Sequence, residues 1–252
     1  MSESIRAVER ALDVLLCFTS QTPELTMSQI SERTGINKST VHRLLSTLEK
    51  KRFVERNPLT GIYSPGLRFL QMASLSMEQN SLHRLAAPFL QELQNQYHEN
   101  VNLALLDGAD VVYMDVIESS QRVKLAAVPG QRLPAFCTAS GKSILAFLPD
   151  DDVKRILERG MPGYTRSTVT SQEAFFEDVY RIRERGFAMS LEEFEDGINA
   201  VAAPICNQPI ASVSIAGPAY RLTQERMLDI GPGLVSVAKN ISLEVERVLS
   251  LE

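Results

Sequence analysis

The stretch from Leu25 to Gly66, "LTMSQISERTGINKSTVHRLLSTLEKKRFVERNPLTGIYSPG", constrains the fold more than any other part of the chain. Thr26 stands three residues before Gln29, the spacing of a capping box, and starts a short helix that carries Met27 and Ile30 inward. Gly35 ends that helix, and Asn37 is placed to cap the next. In the second helix Val41, Leu44, Leu45 and Leu48 recur at i, i+3, i+4 and i+7, which predicts one buried face. Ser39, Arg43 and Ser46 then point outward, with Lys38, Thr40 and His42 on the flanks. Val54–Arg56 and Ile62–Ser64 read as two strands around an Asn-Pro-Leu-Thr-Gly turn, placing Arg56 and Asn57 near the tip of a hairpin. Ahead of all this, Ile5, Val8, Leu12, Leu15 and Leu16 form a helical stripe.

Two short helices joined at a glycine, the second with a polar and basic outer face, followed by a hairpin, describe a winged helix-turn-helix. Arginine can bond guanine bidentately, and Ser, Thr and His can reach base edges or phosphates. The opposing reading is a small helical domain whose solvated face happens to be basic. Charge placement supports the first: residues 1–80 carry a net +2, whereas the remainder carries −7 in a chain of net −5. That is one basic module on an acidic body.

A chain of 252 residues has length for one or two domains. No window has the roughly 18 to 20 consecutive apolar residues of a membrane span, and the N-terminus lacks a signal-peptide core. Cys17, Cys137 and Cys206 are odd in number and widely spaced, and His42, His83 and His98 are scattered. Neither set suggests a metal, and no cofactor is implied. A cytoplasmic protein is expected.

The second half holds the most provocative hexapeptide, "TASGKS" at Thr138–Ser143, which ends as a phosphate-binding loop ends. A P-loop needs a further glycine five residues before Gly141, and Phe136 stands there. An aromatic residue cannot take the glycine conformations that turn successive N–H groups toward a phosphate. An enzyme acting on a small acid or nucleotide through residues 138–143 is the rival reading. The apolar run Ile144, Leu145, Phe147 and Leu148 instead predicts a helix beginning near Ser140, whose start is either an anion cradle or an ordinary tightly packed helix end. Lys142 would meet a ligand carboxylate or reach solvent.

Elsewhere the patterns predict a linker helix over Leu67–Gln79 and an amphipathic helix over Leu82–Tyr97 containing Pro88. A hairpin follows around Asp107-Gly108-Ala109-Asp110, with a third strand at "RVKLAAVP". Helices at "SILAFLP", "DDVKRILERG" and "AFFEDVYRIRERG" precede strands at "AVAAPI" and "ASVSIAGP", then a helical tail interrupted by "GPG" at Gly231–Gly233. Strand-rich portions around a helical middle make an α+β domain, and no dinucleotide-binding Gly-x-Gly-x-x-Gly occurs. Cys137 and Cys206 could form a redox switch or pack as small hydrophobes. Glu192, Glu193, Glu195 and Asp196 form an acidic run of the kind that is usually solvated.

"AVERALDVLLCF", the Leu25–Gly66 stretch, "AFCTASGKSILAFLP", "EEFEDGINAVAAPI" and "SIAGP" together resemble the IclR family of bacterial transcriptional regulators, in the family's order and over nearly the whole chain. The resemblance implies an α+β two-domain protein with an N-terminal winged helix-turn-helix (residues 1–66), a linker helix (67–80) and a GAF/profilin-like effector-binding and oligomerisation domain (81–252). It implies double-stranded operator DNA as partner, and a homodimer or dimer of dimers with linker contacts from Leu67, Phe69 and Leu70. The family's small-molecule effector, often a carboxylate, would meet Ala139, Ser140 and Gly141 on one side and Ser190, Ala200 and Ser214 on the other. Some members carry Asp and Cys where this chain has Ser190 and Ala200, and a serine at the position of Ala216. Fewer polar contacts suit a larger or more apolar acid.

Overall fold

The structure, a computed structural model, describes residues 5–19, 21–79, 81–205 and 211–249. The backbone forms two compact units, Met1–Gln79 and Asn80–Glu252.

In the first unit, α1 (Arg6–Leu16), α2 (Met27–Thr34) and α3 (Lys38–Lys50) pack with the antiparallel pair β1 (Val54–Arg56) and β2 (Tyr63–Pro65). The capping box forms as its spacing requires: Thr26 Oγ1 accepts from Gln29 N, and Gln29 Oε1 accepts from Thr26 N at 2.8 Å. Gly35 ends α2 with φ of 65°, a conformation that favours glycine. Asn37 Oδ1 accepts from Thr40 N at 2.9 Å and starts α3. The core holds Val14, Ile30, Val41, Leu45, Val54 and Tyr63, each buried; Leu44, expected with them, is half-buried. Burying each large apolar side chain contributes roughly 1.5–3 kcal/mol.

Two expectations for this unit change. Ile5, Val8, Leu12 and Leu16 are exposed, and α1 instead buries Val14. Val14 lies about 200° round the helix from Leu12, so α1 has two apolar faces and the core uses the shorter. The second strand begins at Tyr63, because Ile62 lends its carbonyl to Asn57 N in the turn. Helix α4 (Arg68–Gln79) follows, with Leu70, Met72 and Leu75 exposed.

The second unit is built on a sheet of order β5-β4-β3-β8-β7-β6, with each neighbouring pair antiparallel. Its strands are β3 (Asn100–Asp107), β4 (Asp110–Ile117), β5 (Arg132–Pro134), β6 (Ala188–Leu191), β7 (Ile198–Ile205) and β8 (Ala211–Pro218). Alternation assigns the faces. Val101, Leu103, Val201, Val213 and Ile215 pack under α5 (Ser81–Tyr97) and α9 (Gln224–Leu249). The other face receives α6 (Ala139–Leu145), which carries α8 (Gln172–Arg185), while α7 (Asp150–Leu157) shares the same apolar cluster.

Two sequence expectations fail here. "RVKLAAVP" is not a strand: Asn100 Nδ2 donates to Leu125 O at 3.3 Å and Arg221 Nη2 to Val123 O at 2.8 Å, so side chains hold a segment that no ladder does. "GPG" does not interrupt the last helix. A Cβ at Gly231 would lie 2.4 Å from the Phe187 ring, so that glycine serves close packing inside a continuous α9. Helix α5 begins at Ser81, one residue before the Leu82 that the apolar spacing marks.

Candidate functional site

The candidate DNA-facing surface is assembled from short-range sequence devices. On α3, Lys38, Ser39, His42 and Arg43 are exposed, and Thr40 and Ser46 are half-buried. Asn37 caps the helix, so its start is rigid. Ser39 Oγ donates to Asn37 Oδ1 at 3.0 Å, which turns that hydroxyl back toward the cap. At the hairpin tip, the Arg56 guanidinium lies 5.8 Å from the centroid of the Tyr63 ring. Asn57 Oδ1 accepts from Leu59 N and Thr60 N, so its carbonyl builds the turn and only its amide N–H groups remain to face a partner.

In the second unit a cavity of about 350 Å³ lies between α6 and the sheet. Its floor follows from register. Ser190 pairs with Ala200 and Ala200 with Ala216, and one rung along Ala202, Ser214 and Asn102 are aligned. Ala139 and Ser140 form one wall, Leu125 to Ala127 another, and Tyr113, Phe194 and Glu195 complete it. Of the six predicted residues, Ala139, Ser140, Ser190, Ala200 and Ser214 line this space. Gly141 does not. Its N–H donates to Thr138 Oγ1 at 3.2 Å, and a Cβ there would lie 2.1 Å from Ala135 O. Glycine at 141 therefore lets α6 approach the Ala135–Cys137 turn.

The donors and acceptors are hydroxyls. Ser190 Oγ donates to Cys137 O at 3.1 Å and keeps lone pairs for an incoming donor. Ser214 Oγ accepts from Asn102 Nδ2 at 3.3 Å, leaving its own proton free to donate. Ser140 Oγ and the Tyr113 hydroxyl make no hydrogen bond among the described residues. Burial pushes the Tyr113 phenol up to about 12, so it remains a donor at neutral pH. Helix geometry leaves the first N–H groups of α6 without intrahelical partners.

Lys142 takes neither expected route. Its side chain is only 2% exposed, with Nζ 2.7 Å from Asp178 Oδ2 and 2.5 Å from Glu193 Oε1. Glu193 is thus buried, although the acidic run around it predicted solvation. Desolvation raises the Glu193 carboxyl above its ordinary value, against the pull of Lys142. The segment after Glu192 is held further by Thr165 Oγ1 on Glu192 O and Thr168 Oγ1 on Glu193 O, both at 2.6 Å. Tyr164 covers Phe194 with ring centroids 5.1 Å apart. A lysine committed this way cannot grip a triphosphate. Lys124, at the cavity, pairs with Glu118.

Cys137 is buried and its thiol is pushed up to about 12 by burial, which keeps it from the reactive thiolate. Cys206 lies outside the described residues. Among the described residues no His, Cys, Asp and Glu cluster could hold a metal, and no helix is long and apolar enough to cross a membrane.

The signal for Asn102 and Tyr113 was present as alternation: each is the polar or amphipathic residue on the inward side of its strand. Nothing in the sequence distinguishes Glu193 from its acidic neighbours.

Residues 7–58 match the model of the IclR helix-turn-helix domain, and residues 75–243 that of the bacterial transcriptional regulator IclR C-terminal domain. The chain is 31% identical over 251 residues to the HTH-type transcriptional regulator KipR of Bacillus subtilis, covering 98% of each. An IclR transcriptional regulator from Alicyclobacillus acidocaldarius superposes with a TM-score of 0.87 at 26% identity, over 96% of this chain and 99% of that one. An IclR homologue from Microbacterium hydrocarbonoxydans, complexed with 4-hydroxybenzoate, shares the fold with a TM-score of 0.81 at 23% identity, over 94% of this chain and 98% of that one.

Proposed function

Because this chain belongs to the IclR family of bacterial transcriptional regulators, we propose that it binds operator DNA with an affinity set by a small organic acid. The family's members among its relatives are regulators of transcription and not enzymes. Helix α3 enters the major groove of double-stranded DNA, where Lys38, Ser39, Thr40, His42, Arg43 and Ser46 face bases and phosphates. Arg56 and the Asn57 amide of the wing touch the backbone. We assign residues 1–66 to DNA binding, 67–80 to a linker and 81–252 to effector binding and oligomerisation.

One observation carries the effector reading. The second unit holds a cavity of about 350 Å³ whose polar lining includes the Ser140 and Tyr113 hydroxyls, both without partners in the protein. Neither oxygen is among the fully enclosed unpartnered atoms, which are Asn102 Oδ1, Glu193 Oε2 and Ser212 Oγ among the described residues, so both open onto the cavity, where a bound acid would meet them. No unpaired cation faces the cavity among the described residues, so neutral donors on Ser140, Ser214 and Tyr113 would meet the carboxylate. The aliphatic and aromatic remainder suits an apolar or aromatic body. The same fold holds 4-hydroxybenzoate in the Microbacterium homologue.

The protein acts in the cytoplasm as a homodimer or dimer of dimers. One small module makes too few base contacts for specificity, and exposed Leu67, Phe69 and Leu70 offer apolar contacts for a second copy. An effector shifts operator affinity only by binding the DNA-competent and incompetent arrangements unequally.

The test is fluorescence anisotropy of the purified protein with DNA from upstream of its own gene, beside a scrambled duplex and Arg43→Ala. Selective binding that Arg43→Ala weakens, and that some acid alters, is expected. Equal binding to both duplexes, or turnover of a candidate acid, would overturn the reading.

A further inference from the structure

A second cavity, of about 390 Å³, lies in the first unit between α1 and α3. Its lining is Arg6, Ala7 and Arg10 from α1, and Thr40, Arg43, Leu44 and Thr47 from α3. Arg6 and Arg10 are one helical turn apart, so both guanidiniums leave α1 on the side that looks toward α3. The lining contains three arginines and no carboxylate. None of the three forms an ion pair among the described residues. Arg33 donates to Cys17 O and Thr22 Oγ1 and Arg56 stacks on Tyr63, whereas Arg52 and Arg68 share the lack of a side-chain partner among the described residues but do not line the groove. Glu9 and Asp13 are on α1 but not in the groove's lining. Thr47 Oγ1 donates to its own helix at Arg43 O, whereas the Thr40 hydroxyl makes no hydrogen bond among the described residues.

Like charges gathered from two separate helices repel one another unless an anion lies between them. The geometry points to a phosphodiester site: we infer that this groove takes one or two backbone phosphates of the duplex that α3 enters, with Arg6 and Arg10 supplying charge and bidentate donors. The inference rests on the DNA-binding reading above and adds α1 to the contacting elements, although α1 presents nothing to base edges. A guanidinium on phosphate positions the protein without reading sequence. Its loss therefore weakens every duplex alike and lowers the salt slope.

The test is anisotropy of the full chain, and of Arg6→Gln, Arg10→Gln and Arg10→Lys, on the upstream duplex and its scrambled partner, between roughly 50 and 200 mM salt. Each glutamine variant is expected to bind both duplexes about 10-fold more weakly, as loss of a charge-assisted hydrogen bond implies. The log–log salt slope should fall by about one, with the ratio between duplexes unchanged. Arg10→Lys should recover most of the loss, and thermal midpoints should match the parent, which separates charge from folding. Unaltered affinity and slope in the glutamine variants, while the parent binds, would overturn this inference alone. A parent that binds neither duplex would sink the DNA-binding reading itself. Calorimetry with inorganic phosphate, at matched ionic strength and without DNA, checks the source. Saturable binding of free phosphate that the variants lose, with DNA affinity unchanged, would overturn the duplex as the occupant.

Discussion

Lys142 and Glu193 lie 51 residues apart in sequence and meet at 2.5 Å, Nζ to Oε1, inside the protein. Asp178 Oδ2 stands 2.7 Å from the same nitrogen. This places the lysine of the Gly-Lys-Ser tripeptide behind the cavity wall, where it fastens α6 to the segment that carries Phe194 and Glu195. Lys142→Met is expected to destabilise the protein by about 3–5 kcal/mol, because the Glu193 carboxylate is left buried with its cation gone. Adding Glu193→Gln in that background should recover part of the loss. Asp178→Asn alone should cost less, since Glu193 still holds Lys142 and Arg185 keeps its bond to Phe187 O at 2.6 Å. Urea denaturation monitored by circular dichroism checks the order, and a Lys142→Met variant as stable as its parent would remove the ion cluster from the account.

Gly141, which the family resemblance implies as a ligand contact, lies outside the cavity lining and lets α6 close on Ala135. Gly141→Ala should destabilise by about 1–3 kcal/mol or displace the Ala135–Cys137 turn, since the added methyl would meet Ala135 O at 2.1 Å. Gly163→Ala is the control, its nearest neighbour atom lying 3.8 Å from the new Cβ. Thermal melts of the two variants should diverge, and equal melts would show that α6 has room to move.

The contrast between these two residues and the first unit explains what the sequence made legible. The Thr26–Gln29 box, the Asn37 cap and the Gly35 turn act over three or four residues, so local spacing announces them. Ser190, Ala200 and Ser214 come from the family resemblance alone, and the strand that carries Ser190 leaves no turn-bounded apolar run to announce it. Lys142 with Glu193, and Arg221 with Val123 O, join residues far apart, and no local pattern encodes them. The segment 122–129 looked like a strand because apolar residues alternate there, but its partners are side chains. Gly231 and Pro232 looked like a break because helix propensity is a weak prior that packing on Phe187 overrides.

Cys137 titrates in a direction that can be checked. Its thiol is pushed from the usual 9.0 up to about 12 by burial. At pH 8 its thiolate should be about a thousandfold scarcer than that of an ordinary cysteine, so labelling by a thiol reagent should be correspondingly slow in the folded protein. The sign for stability follows from proton counting. Above pH 9 the unfolded chain releases this proton and the folded chain holds it, so stability falls as pH rises toward 12, by about 1.36 kcal/mol per unit from this group. Below pH 9 the group contributes no slope. Relative to Cys137→Ala, the parent should lose stability only in that alkaline window. Rapid labelling of Cys137 in the native state at pH 8 would contradict its burial and reopen a redox role.

Ser140 and Ser214 make the most direct test of the effector reading. Ser214 Oγ already accepts from Asn102, so its proton has one direction left, into the cavity. Ser140 Oγ lines the same cavity from α6. Each hydroxyl that bonds a carboxylate contributes about 1.5–3 kcal/mol, so Ser140→Ala and Ser214→Ala should each weaken an acid effector by roughly 10- to 100-fold. Tyr113→Phe removes the remaining partnerless hydroxyl and should do likewise if the ligand reaches the far wall. All three belong to the second unit, so operator affinity without effector, and its salt dependence, should stay at the parent's values. Anisotropy titrations of operator-bound protein with the acid, run beside effector-free controls, separate the two quantities. Variants that respond to the acid as the parent does would place its binding elsewhere, and variants that lose DNA affinity without any ligand would mark these serines as structural.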